Sequence, residues 1–239
     1  MKAVLRHGLA RLRHDRGRTL LTAGGIVAAT AMVGAAATLV FALSTAFDRT
    51  AARAGLADID ARFGEQPLSL VRPRVDALPN VGAASFRYEA SGIGVEAGGD
   101  FADGTVVGLE HAGPRGYAVV AGHDVTTPGE VVVEQGLAHA WHLGLGDRVT
   151  LSGPATTLTP RVVGIAVAPD GVAYPLARSP RVWSPHDDVR RLTGAGAVVN
   201  EALIWVHDRA QLDVTLAQAR AASFGVSDLR FVTRAATSS

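Results

Sequence analysis

The order of apolar and polar positions divides the chain into three stretches. In residues 1–18, Val4, Leu5, Leu9 and Leu12 fall near one face of a helix, with Arg6, Arg11, Arg13 and Arg16 mostly elsewhere. That pattern predicts a short amphipathic helix at a membrane surface, with Gly17 at its end. Residues 19–47 carry no charged side chain. At ~1.5 Å per residue such a helix reaches roughly 43 Å, against ~30 Å of hydrocarbon, so it predicts one tilted or projecting transmembrane span. Asp48 and Arg49 end it. Beyond residue 47 no uncharged apolar run approaches the ~18 residues a second span needs.

From residue 48 onward the pattern shortens to alternating strands and helices. ADIDARF (57–63) alternates as a strand, and Pro73 opens a short helix reaching Leu78. Residues 82–96 and 105–109 are strand-like around the turn Gly98-Gly99-Asp100. Glu130–Val133 is a buried strand, and Gln135–Leu143 is a helix. Gly144-Leu145-Gly146-Asp147 turns the chain into strand Arg148–Leu151, and Pro160–Val167 is another strand. Ser184-Pro185 begins a helix with Asp187 and Asp188 in its first turn, where the helix dipole favours acids. Strand 202–207, a capping box Asp208-x-x-Gln211, a helix to about Ser223, a stop at Gly225 and strand 228–233 make a β-α-β unit. The expected fold is α+β: one N-terminal transmembrane helix (19–47) after a cytoplasmic segment (1–18), then a mixed α+β extracytoplasmic domain (48–239). That domain is expected to form two small lobes divided by the Gly-rich stretch 97–112.

Charge sharpens the topology. The whole chain has 23 Lys+Arg and 22 Asp+Glu, a net of +1. Six of the basic residues and one acid lie in 1–18, which leaves 17 basic and 21 acidic residues, a net of −4, after the span. By the positive-inside rule the N-terminus is cytoplasmic and residues 48–239 are extracytoplasmic, in a cell membrane. A cleaved signal peptide is the alternative, with Ala35-Ala36-Ala37 as small residues for cleavage. The uncharged run is about twice the ~7–15 residues of a signal peptide's apolar region. The near-zero overall charge argues against a nucleic-acid partner. With no Cys there is no disulfide framework, Cys-based zinc site or thiol nucleophile.

Within the span, nine Ala, three Gly and six Ser/Thr make 18 of 29 side chains small. Gly24 and Ala28, Gly25 and Ala29, and Thr30, Gly34 and Thr38 recur four apart, each set on one face. Small residues so spaced let transmembrane helices approach closely. Partner helices would come from another chain or another copy.

Candidate chemistry is sparse. His139 and His142 are roughly co-facial on a predicted helix, but zinc needs a third ligand and there is no HExxH. His123-Asp124 and His186-Asp187-Asp188 read as loop and helix-start polarity. No Ser sits in G-x-S-x-G, Gly144-x-Gly146 lacks the third Gly of a phosphate loop, and there is no Walker motif. The residues point to no enzyme, no cofactor and no metal.

The segment LRHGLARLRHDRGRTLLTAGGI (5–26) resembles the start of FtsX-like permeases of ABC transporters, with Arg18-Thr19-Leu20-Leu21-Thr22 and Gly25-Ile26 in the matching places. GEVVVEQGLAHAWHLGLGDRVTL (129–151) followed by RVVGIAV (161–167) is similar to the MacB-type periplasmic core domain, and ADIDARF and LPNVGAAS (78–85) fit the same layout. The resemblance implies a non-enzymatic permease component. A cytoplasmic ABC ATPase would dock near Arg11, Arg13, Arg16, Arg18 and the face Leu5, Leu9, Leu12. Gly24, Gly25 and Gly34 would pack on sister spans in the lipid bilayer. The external domain would couple the ATPase to an envelope process such as efflux or lipoprotein release. Family members continue into further spans, so this chain is either part of a longer permease or a single-span accessory. A single-pass anchored ectodomain binding an envelope partner without an ATPase is the second reading, and a secreted zinc hydrolase using His139 and His142 the third.

Overall fold

The computed structural model describes residues 27, 29–35, 38, 54–110 and 113–233. The chain divides into two units, Met1–Arg49 and Thr50–Ser239. In the first, the described residues are helical and exposed. Among the described residues no helix is long and apolar enough to cross a membrane, and most of the predicted span 19–47 lies outside them.

The second unit is α+β, in the order β1 (Ile59–Pro67), α1 (Leu68–Asp76), β2 (Val81–Ala97), β3 (Asp100–Leu109), β4 (Ala118–Gly122), β5 (Glu130–Glu134), α2 (Gln135–Ala140), β6 (Thr150–Ser152), β7 (Thr157–Leu158), β8 (Arg161–Val167), β9 (Arg181–Pro185), α3 (His186–Thr193), β10 (Val198–Val206), α4 (Leu212–Ala222) and β11 (Arg230–Thr233). The strands hydrogen-bond in the order β11-β1-β10-β2-β3-β9-β5-β8-β4, with β6 and β7 attached beside β2. The pairs β3/β9 and β5/β8 are parallel. The sheet is therefore mixed, as the alternation of elements in the sequence implies.

Hydrophobic burial follows two lobes. The first holds β11, β1, β10 and the start of β2, with α1 and α4 on one face. Ile59, Ala61, Phe63, Phe86, Ala202 and Ile204 meet Val71 and Val75 of α1 and Leu216 of α4 there. In this lobe β10 and β11 both run antiparallel to β1, which lies between them. The expected β-α-β unit is thus a split one, closed around the first strand. The second lobe is buried on both faces. Val131 and Val133 of β5 join Leu137, Val189 and Leu192 in one core, while Val132 joins Tyr117, Ala166 and Trp183 in the other. A strand with both faces covered has no reason to alternate polarity, hence the run Val131-Val132-Val133.

Several expectations change. The stretch 97–112 does not separate lobes. Gly98 and Gly99, at φ 63° and 94°, make the tight turn of the β2–β3 hairpin, and β3 fills most of the rest. The lobes are instead residues 54–87 with 198–233, and residues 88–197 inserted between them. Pro73 lies inside α1, which starts at Leu68 directly after Pro67. Helix α2 ends at Ala140 rather than Leu143, because the chain turns at His142, whose φ is +55°. Arg148 makes only an isolated bridge, to Arg161, before β6 begins at Thr150. Pro185 precedes α3 instead of opening it. The expected capping box is rearranged. Asp208 accepts from the Ala210 N–H at 2.9 Å and from the Gln211 amide at 3.1 Å, above a single 3₁₀ turn.

One connection is fixed by a close approach. The segment between β8 and β9 lies against α2, where Trp141 Nε1 donates to Tyr174 Oη at 3.1 Å and the Tyr174 N–H donates to Glu134 at 3.2 Å. A Cβ at Gly136 would stand 2.0 Å from the Tyr174 carbonyl oxygen. Gly136→Ala is therefore expected to destabilise the domain by about 1–3 kcal/mol, the usual cost of overpacking, read as a lower denaturation midpoint at unchanged m. A change within the scatter of surface substitutions would contradict this account of the docked segment.

Candidate functional site: an anchored edge and a lobe junction

The described part of the second unit begins and ends on neighbouring strands. Ile59 pairs with Thr233 of β11 on one side and with Ile204 of β10 on the other. Strands so paired lie ≈ 4.8 Å apart. The approach to β1 is pinned: Trp205 Nε1 donates to the Gly55 carbonyl at 2.7 Å, and the Asp58 N–H donates to the Ile204 carbonyl at 2.9 Å. Asp58 is buried. Its carboxylate accepts from Arg209 Nε at 2.7 Å and from the Val206 N–H at 3.0 Å. Beside it the Asn80 amide donates to the Asp208 carbonyl and to Thr215 Oγ1, each at 2.9 Å, and accepts from the Asp208 N–H at 2.9 Å. Every polar group named at this edge has a partner.

The second feature lies on the face of the first lobe away from α1 and α4. Arg62 of β1, Glu201 of β10 and Arg87 of β2 stand in one cross-strand row. Arg62 approaches Asp60 at 3.0 Å, Glu201 at 3.1 Å and Glu89 at 3.4 Å, and Arg87 approaches Glu201 at 3.5 Å. The second lobe covers this row. Arg87 Nη2 donates to the Arg115 carbonyl, Arg115 pairs with Asp124 at 2.6 Å, and the Tyr117 hydroxyl donates to Asp124. On the far side Arg181 pairs with Asp170 at 2.7 Å.

Burial sets the charge of this cluster. Burial, with Glu201 adding to it and Arg62 opposing, raises the Asp60 carboxyl to about 7. Burial and Glu201 likewise push Glu89 up, against Arg62 and Arg181. Burial also raises the Tyr117 hydroxyl, reinforced by Asp124.

The sequence-derived candidates fall differently. Leu5, Leu9, Leu12, Arg11, Arg13, Arg16, Arg18, Gly24, Gly25 and Ala28 lie outside the described residues. Ala29, Thr30, Gly34 and Thr38 are helical and exposed. Thr38 Oγ1 donates to the Gly34 carbonyl at 2.8 Å, and a Cβ at Gly34 would meet nothing within 4 Å. His139 and His142 are both exposed along a cleft floored by Ala138 and Ile165, and among the described residues no group of His, Cys, Asp or Glu is arranged to hold a metal. Asp124 and Asp188 are structural: the first anchors Arg115, and the second accepts from the Gly129 N–H at 2.6 Å. Sequence reasoning missed Asp58, Asn80, Arg62, Arg87, Glu89 and Glu201. The available signal was that Asp60 and Arg62 alternate with apolar residues in β1, which reads as a solvent face.

A native carboxyl that binds its proton more tightly than in the unfolded chain adds stability fully present below the unfolded value of 3.8 and lost as pH rises through about 7. Stability is therefore expected to fall between about pH 4 and about pH 7, and Asp60→Asn to flatten that slope, both read from denaturant midpoints. An Asp60→Asn variant with the parental slope would show that Asp60 is not the group responsible.

The profile of the family described as the MacB-like periplasmic core domain matches residues 19–222. No curated protein sequence matches the chain. Among solved structures, the extracellular domain of the noncanonic ABC-type transporter YknZ from Gram-positive bacteria superposes with a TM-score of 0.54 at 12% identity, over 73% of this chain and 99% of that one. The periplasmic region of MacB from Actinobacillus actinomycetemcomitans gives a TM-score of 0.50 at 14% identity, over 74% of this chain and 88% of that one. At these identities the structural likeness is one of fold, and the profile carries the relationship. The resemblance seen in GEVVVEQGLAHAWHLGLGDRVTL is thus upheld across most of the chain, which belongs to the family of MacB-like periplasmic core domains.

Proposed function

We propose that the chain is a non-enzymatic permease component of an ABC-type membrane system, whose external domain couples a cytoplasmic ATPase to an envelope process such as efflux or lipoprotein release. The observation that carries this reading is the anchored edge. A domain worked from the membrane must receive displacement where its chain comes in, and here the first strand is held between β10 and β11 with Asp58 locked to Arg209. The basic, amphipathic head and the uncharged residues 19–47 support a cytoplasmic N-terminus and a spanning helix. In this reading Leu5, Leu9, Leu12 and Arg11, Arg13, Arg16 and Arg18 meet the ATPase at the membrane surface. The small-residue face Gly24, Gly25, Ala28, Ala29, Thr30, Gly34 and Thr38 packs on further transmembrane helices.

Two experiments test the proposal. The chain has no cysteine, so single cysteines report topology without background. Phe224 is 91% exposed in the external unit. A membrane-impermeant maleimide is expected to label Phe224→Cys on intact cells and Ala3→Cys only after permeabilisation. The reverse pattern, or release of the chain from membranes by alkaline wash, would overturn the topology. Detergent extraction is expected to recover an ATPase with the chain. Replacing Leu5, Leu9 and Leu12 together by Ser should reduce that recovery by about tenfold, equivalent to ~1.4 kcal/mol of association. A chain that purifies alone, with or without those replacements, would favour the anchored ectodomain without an ATPase.

A further inference from the structure

We propose that the external domain bends between its two lobes at one shared rung of the sheet, Glu201–Arg87–Leu109, and that the Asn200 amide and the Arg62–Glu89 pair hold the resting angle. The inference concerns the external unit by itself and does not rest on an ATPase partner.

Strand β2 is 17 residues long and serves two parts of the one sheet in succession. It pairs with β10 over Val81–Arg87 and with β3 over Arg87–Ala97. Arg87 is the single residue of β2 with a strand partner on both edges at this crossover, opposite Glu201 on one side and Leu109 on the other. On the edge that β10 vacates, the next strand partner is β6, which begins opposite Gly94. Between them one side chain substitutes for a strand. Asn200 accepts from the Glu89 N–H at 2.8 Å and donates to the Glu89 carbonyl at 2.9 Å.

The hydrophobic cores separate at the same place. Phe86 belongs to the core of the first lobe and Tyr88 to that of the second. Polar side-chain ties cross the junction: Tyr88 Oη to Glu65 at 2.8 Å, Arg62 to Glu89 at 3.4 Å, Arg72 to Glu110 at 2.6 Å, and the buried Arg87 to the Arg115 carbonyl. Arg62 and Arg72 are both more than a third exposed, so water can replace either partner as the pair opens.

The junction is also where polar groups are least satisfied. Among the described residues five buried side-chain atoms lack a hydrogen-bond partner, and three of them, Asp60 Oδ1, Ser85 Oγ and Arg87 Nε, sit on this face of β1 and β2. Groups of this kind normally find partners when buried. A cavity of about 70 Å³ adjoins Asp60, lined by Asp60 and Leu203 of the first lobe and by Gly116 and Asp170 of the second. One rung of backbone, polar ties, a cavity and unpaired polar atoms together describe an interface with room for a second setting.

Distances between spin labels in the full chain in detergent test this. Val214 and Leu70, both exposed, mark the first lobe, and Phe101 and Val120, also exposed, mark the second. Cysteine pairs 70–214 and 101–120 measure within lobes, and pair 120–214 measures across. The cross-lobe distribution is expected to be at least about twice as wide as either within-lobe one, hinge motion being rigid-body motion of packed units. Asn200→Ala with Arg62→Gln should widen or shift it further while both within-lobe distributions stay as they were. Equal widths within and across the lobes in the parent chain would overturn the proposal, whether or not the double variant folds. Broadening within a lobe in the variant would also overturn it, by showing local unfolding instead of a hinge.

Discussion

Arg87 is only 3% exposed, and its guanidinium must be answered inside the protein. Water is excluded from it, so the cost of burying that charge has to be met by an anion and by acceptors in the right places. Glu201 on the next strand supplies the anion, and the Arg115 carbonyl supplies an acceptor from the second lobe. The arrangement requires β10 and β2 to be in register at this rung, and it requires residues 113–117 to fold back over the first lobe. Arg115 in turn is held by Asp124, which also receives the Tyr117 hydroxyl, and the Tyr117 ring lies 4.6 Å from that of Trp183 in the second core. One buried cation thus connects the strand register of the first lobe to the packing of the second lobe.

Inserting residues 88–197 into the first lobe has a topological consequence. Both halves of that lobe must close around the insertion, which is why β1 lies between β10 and β11 and receives its last partner from the end of the described chain. The base of the domain is formed late in sequence from contacts of long separation, such as Asp58 with Arg209 and Asn80 with Asp208. Local propensity cannot supply these. They depend on polar side chains whose geometry is satisfied only after the sheet has formed, as expected of non-local β pairing.

What the sequence made legible follows from how each element is buried. The β5 strand and the turn at Gly98-Gly99 were readable, because a doubly covered strand is uniformly apolar and a tight hairpin turn needs positive φ. Strand β4 was missed, since Ala118–Gly122 is short, sits at the sheet edge and carries a register shift opposite β8. Pro73 reads as a start signal in the sequence, whereas α1 begins at Leu68 and the packing of Val71 and Val75 tolerates the proline in its interior. The charged row was invisible for a deeper reason. Alternation in IDARF correctly marks two faces, but nothing in that segment tells solvent from a second protein layer, and here residues from Gly116 and Asp170 supply that layer.

The two polar sites differ in a way that bears on how the domain would respond to displacement. At the anchored edge Asp58, Asn80 and Asp208 have partners on adjacent elements, so a shift of β1 there must carry β10, α4 and β2 with it. At the junction three buried polar atoms have none, and the ion pairs include exposed arginines that water can compensate. Displacement of a body concentrates where its interactions are least costly to exchange. A push delivered at the first strand would therefore move the first lobe as a unit and be absorbed at the Arg87 rung, turning a small change at the base into a change of angle of the inserted lobe. In the proposed bending the edge around β1 is thus the better-connected site and the Arg87 rung the more compliant one.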